Sequence, residues 1–191
     1  MKNILSRLIK KRSRKHEYKV PDIFTQGPIV KQLQIDMKKR LNALGVGDVI
    51  AVAVDGWLGN EMIGVVKYLQ CVGGLPTNGK IGVRSLLFIV NGTAGLETLA
   101  LGSRGLSVLA MKQVLASSDD CPIPQNDKFC ELTRQAVKAY QERLGLWPDG
   151  IVGAKTWEKI VRSRIGFPCT VWQPNAYIGI APEIAQQHQR A

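Results

Sequence analysis

Apolar residues recur along this chain at helical spacing, in short runs closed by glycine. Val30, Leu33, Met37, Leu41 and Leu44 stand three or four residues apart, which places them on one face of a helix. Leu132, Ala136, Val137 and Tyr140 follow the same rule in a helix predicted over about Glu131 to Arg143. Trp157, Ile160 and Val161 share a face in a third, over about Ala154 to Arg164. The pattern predicts an all-α fold.

Between the helical runs the chain turns on a recurring corner. An Asp or Asn precedes a Gly, which takes φ > 0 without a Cβ clash. The next apolar residue (Leu58, Ile81, Phe129 or Val152) is placed to turn inward as a plug. A second glycine (Gly59, Gly82 or Gly153) then precedes the next helix, where it is expected to permit close approach. Ser85 and Thr156 fall in a first helical turn, where a hydroxyl is expected to satisfy free backbone N–H groups. Asp55, Gly56, Gly79, Asp127, Asp149 and Gly150 complete the corner set, with Trp157 as a core residue of the last helix.

These corners belong to a repeat. Val66-Lys67-Tyr68-Leu69-Gln70, Gly74-Leu75 and Asn78-Gly79-Lys80-Ile81-Gly82-Val83-Arg84-Ser85 return 71 residues later as Val137-Lys138-Ala139-Tyr140-Gln141, Gly145-Leu146 and Asp149-Gly150-Ile151-Val152-Gly153-Ala154-Lys155-Thr156. Upstream, Gly27-Pro28 with Leu33, Gln34 and Met37 matches Gly105-Leu106 with Met111, Lys112 and Leu115 at an offset of 78. The first copy therefore carries seven extra residues, assigned to a loop around Val46 to Val54. Each copy reads as three helices joined by two corners.

The run from Thr133 to Trp157, with Ala136-Val137, Tyr140-Gln141, Gly145-Leu146 and Asp149-Gly150-Ile151-Val152-Gly153-Ala154-Lys155-Thr156-Trp157, resembles the peptidoglycan-binding domain family of the three-helix, cell-wall-hydrolase-associated type. The resemblance implies two tandem units, at 27–90 and 104–165. The first is degenerate: Met62 and Leu86 stand where the family has Thr and Trp. The second departs at its first corner, Asp127-Lys128-Phe129-Cys130. The resemblance further implies non-catalytic binding of bacterial cell-wall peptidoglycan through a shallow surface cleft. A second reading, of a different class, is a protein-interaction or scaffold module that keeps the fold without wall binding.

Candidate ligand contacts are few. Trp57 and Trp147 sit in turns, where an indole can stack on a sugar face and donate its N–H. Either ring can equally cap its own small core. Asn60 opens a helix beside Trp57. Arg84 and Lys155 occupy equivalent places near a helix start and are suited to carboxylates.

Charge and cysteine content narrow the partners. The chain of 191 residues carries a net charge of +11. Residues 1–19 hold eight of the basic residues against Glu17 alone. The segment 1–26 is thus read as a basic leader, flexible or an interfacial helix, able to attract an anionic membrane surface or a protein partner. It has no continuous apolar core of a signal peptide, and no stretch reaches the ~20 apolar residues of a membrane span. If the implied function holds, the location is the cell envelope or periplasm. Nucleic acid is disfavoured, since no basic-aromatic interleaving is present. The tail 166–191, with Pro168, Pro174 and Pro182, is read as irregular and wrapping over the helices. Cys71, Cys121, Cys130 and Cys169 show no metal spacing. Cys121 and Cys130 either bridge or stay as thiols. His16 and His188 lie in the two ends, so no held imidazole serves catalysis or metal binding. No cofactor, metal or catalytic residue is expected.

Overall fold

Gly27 at φ 131° swings the chain into a helix that opens on Pro28, whose fixed φ suits the first helical position. A computed structural model describes residues 26–118 and 123–165, and among them six helices follow in order. They are α1 (Pro28–Ala43), α2 (Asn60–Val72), α3 (Val83–Asn91), α4 (Leu106–Ser118), α5 (Glu131–Arg143) and α6 (Ala154–Ile165). A 3-10 turn, Gly92–Gly95, follows α3. The described residues form isolated β-bridges and no strand, so the all-α expectation stands. The predicted leader (save Gln26), the predicted tail, and Cys121 and Cys169 lie outside the described residues.

One connected apolar core runs through all six helices. Leu33, Met37 and Leu41 of α1, Leu69 and Val72 of α2, and Phe88 and Ile89 of α3 join Met111 and Val114 of α4, Val137 and Tyr140 of α5, and Trp157 and Ile160 of α6. Each such side chain, fully buried, contributes about 1.5–3 kcal/mol. Leu132 departs from the predicted face of α5, being 52% exposed. Thr133 is buried in its place, closing a capping box with Cys130 at the helix start.

The seven extra residues of the first stretch are ordered. Ile50 N–H donates to the Val46 carbonyl at 2.9 Å, closing a turn, and residues 51–54 then follow without helix or strand. Val46, Ile50 and Val52 enter the core while Ala51 and Ala53 face outward.

Three contacts fasten the C-terminal helices to what precedes them, two to the connecting stretch at Glu97 and Leu99 and one to the end of α2, none of them legible as spacing. The buried Trp157 indole needs an acceptor, and donates to the Glu97 carbonyl at 2.8 Å. Leu99 and Val152 exchange backbone hydrogen bonds of 3.2 and 2.8 Å. Arg164 of α6, 8% exposed, donates to the Cys71 carbonyl from Nε (3.1 Å) and Nη2 (3.0 Å), and to the Ala110 carbonyl from Nη1 (3.0 Å). Its guanidinium thus ties the end of α2 to α4. Burial lowers its pKa, although a guanidinium keeps its charge.

Candidate functional site

Four corners are each held by one side chain reaching from a preceding helix. At the second corner, Gly79 N–H donates to Gln70 Oε1 at 2.9 Å. Gln70 Nε2 donates to the Lys80 carbonyl (2.8 Å), to Ser85 Oγ (3.0 Å) and to Asn78 Oδ1 (3.3 Å). At the fourth, Gly150 N–H donates to Gln141 Oε1 at 2.9 Å. Gln141 Nε2 donates to Asp149 Oδ1 (2.9 Å), the Ile151 carbonyl (2.9 Å) and Thr156 Oγ1 (3.1 Å). The first corner repeats the scheme with Gln34, which accepts from Gly56 N–H at 2.8 Å and donates to Asp55 Oδ1 at 2.8 Å. These bonds satisfy nearly every polar group of a buried amide.

The third corner departs from the scheme. Lys112 stands where the others have glutamine, and is wholly buried. Its ammonium donates to Asn126 Oδ1 (2.9 Å) and to the carbonyls of Lys128 (2.6 Å) and Pro124 (2.9 Å). Desolvation lowers its pKa, opposed by the nearby Cys130 and Asp127. A lysine has no acceptor, so it cannot take the N–H of the corner residue. That residue here is Asp127, in the place of Gly56. The Asx role belongs to Asn126, whose Oδ1 accepts from Lys128 N–H at 3.1 Å.

Several sequence expectations change at this level. The plugs do turn inward: Leu58, Ile81, Phe129 and Val152 are all buried. Ser85 and Thr156 do not cap helix N–H groups; their hydroxyls complete the glutamine clasps instead. Gly82 and Gly153 make no close approach, since a Cβ at either meets nothing within 4 Å. Both lie just ahead of a helix, Gly82 in extended backbone, where glycine is merely tolerated. Gly59 is different, because a Cβ there would lie 2.9 Å from the Trp57 indole nitrogen.

The corner glycines sit in matched surroundings. Gly79 and Gly150 take φ of +75° and +74°. A Cβ on Gly79 would meet Ile63 Cγ2 at 2.7 Å and Lys67 Cε at 3.3 Å. On Gly150 it would meet Arg134 Cγ at 2.8 Å and Lys138 Cγ at 3.2 Å. Arg134 and Lys138 stand 71 residues after Ile63 and Lys67.

The candidate contact residues do not converge on one patch. Trp57 and Asn60 both line a cavity of about 650 Å³ between the extra loop and the start of α2. Asp55 lines it too, its carboxyl held below the usual range by Gln34 and then by the Trp57 N–H. Arg84 is paired with Glu97 at 3.2 Å. Trp147 is 84% exposed at the fourth corner. Lys155 is exposed in the first turn of α6. The two indoles are not equivalent: Trp57 aligns with Lys128, and Trp147 with Pro76.

Cys130 is a free thiol, so no Cys121–Cys130 bridge forms. Its Sγ lies 3.3 Å from Thr133 Oγ1, and that hydroxyl, with the helix-start N–H groups, lowers its pKa. The buried Cys71 is disulfide-bonded. Among the described residues no three His, Cys, Asp or Glu gather as a metal site, and no helix is long and apolar enough to cross a membrane.

Helices joined by corners that a buried side chain clasps define a small all-α module. Residues 104–160, which span α4, α5 and half of α6, match the family model described as "Putative peptidoglycan binding domain". No curated protein and no solved structure matches the chain.

Proposed function

We propose that the chain is a non-catalytic protein that binds cell-wall peptidoglycan through two tandem three-helix units, 27–90 and 104–165, the first of them degenerate. The match of residues 104–160 to a peptidoglycan-binding family is the observation that carries this reading. The matched surroundings of Gly79 and Gly150 support duplication. At the fourth corner Trp147 leaves an indole almost wholly in water. An aromatic face left so open is suited to cover by a sugar ring. Lys155 stands in the same unit as a cation for stem-peptide carboxylates. The disulfide at Cys71 favours an oxidising compartment such as the envelope.

Sedimentation with purified insoluble cell wall at low salt tests the reading. The full chain is expected to co-sediment. Trp147→Ala is expected to weaken binding about tenfold or more, as loss of an aromatic anchor does, with an unchanged helical spectrum. If a folded wild-type chain stays in the supernatant, wall binding is wrong and the scaffold reading takes its place.

A further inference from the structure

The extra loop of the first stretch builds something the second stretch has no residues to build. Val49, Ala51 and Ala53, all from that loop, line the cavity beside Trp57. Its volume, about 650 Å³, lies within the range of small-molecule sites. Trp57 is 39% exposed there, and Asp55 and Glu61 are exposed carboxylates on the same lining. No lysine, arginine or histidine is among the described lining residues. Among the described lining residues the charged side chains are thus Asp55 and Glu61, both acidic.

The two carboxylates repel an anionic ligand. They favour a primary ammonium, which makes short charge-assisted bonds to carboxylates and is attracted to an indole face. The small apolar side chains of Ala51, Ala53 and Val49 suit a short methylene stem behind that ammonium. We infer that this cavity binds the free side-chain amine of a diamino acid in an uncrosslinked stem peptide. The inference rests on the wall-binding reading for the source of the peptide, but its chemistry is independent of the second stretch. Asp55 is fixed in orientation by Gln34 and by the Trp57 N–H. Glu61 lies in the first turn of α2, and its substitution leaves the corner clasp intact.

The probe is an N-acetylated, C-amidated stem tripeptide ending in lysine, compared with the same peptide acetylated on its lysine amine. Binding to the full chain is followed by the Trp57 indole N–H resonance, assigned by its loss in Trp57→Phe. The free-amine peptide is expected to shift that resonance saturably. The acetylated peptide and the Glu61→Gln variant are each expected to bind about tenfold more weakly, the loss typical of one charge-assisted bond. Equal binding of both peptides, or an unaltered Glu61→Gln, overturns the inference. Wall sedimentation run alongside separates the two claims. A chain that sediments with wall yet ignores the free-amine peptide keeps the wall reading and loses this one. A chain that binds the peptide and stays in the supernatant when the wall is pelleted does the reverse.

Discussion

At the scale of single residues, the buried amides decide whether the corners hold. Gln141 is 2% exposed and takes the Gly150 N–H. Gln141→Ala leaves that N–H buried without a partner, which costs about 1–3 kcal/mol; urea unfolding measures it. Gly145 and Gly150 form a matched test of space against backbone. Both have positive φ, +67° and +74°. Alanine at Gly145 meets nothing within 4 Å, so only the left-handed penalty of about 1–2 kcal/mol applies. Alanine at Gly150 adds a 2.8 Å contact with Arg134 Cγ, and its loss of stability is expected to be the larger of the two. Tyr68 gives the pH test. Burial pushes its phenol up to about 12. A raised folded pKa means that this contribution is intact below the unfolded value, near 10. It is lost as pH rises from there through about 12. Tyr68→Phe is expected to flatten that part of the stability profile, as followed by chemical denaturation at stepped pH.

At the scale of elements, legibility divided along local and non-local lines. The span of α5, Glu131–Arg143, follows from apolar spacing. The plug residues follow from turn chemistry, because a positive φ fixes where the next side chain points. Matching Gln34 with Lys112 by position was possible, but their shared work was not visible. A lysine on an apolar helix face reads as solvated until three acceptors are seen to converge on it. Gly82 and Gly153 misled in the opposite sense, as their recurrence suggested a steric need that their open surroundings lack. The stretch from Gly92 to Ser103 carries no periodicity, yet its backbone receives the Trp157 indole and pairs with Val152. The sequence offers Trp57, Asn60, Arg84, Trp147 and Lys155 as separate candidates; the cavity beside Trp57 and Asn60 depends on how a loop of small residues folds back.

At the scale of the whole molecule, Arg164 is the test of unity. Its three donated bonds run to α2 and α4. Arg164→Met removes them while keeping an apolar stem. It is expected to cost about 1.5–3 kcal/mol, the usual worth of bonds to a charged group. Calorimetry of the wild-type chain is expected to show one cooperative transition, since a continuous core leaves no boundary at which half could melt alone. A split into two transitions in Arg164→Met would identify the guanidinium as the fastening between the halves.

The continuous core also fixes a distance. Two binding surfaces on a flexible tether sample many separations, and the second contact gains from any of them. On the proposed reading of two binding units, a shared core would offer a single separation, so the gain is full where a polymer repeats at that interval and absent where it does not. Retention on the wall would then report how its strands are spaced as well as what they are made of.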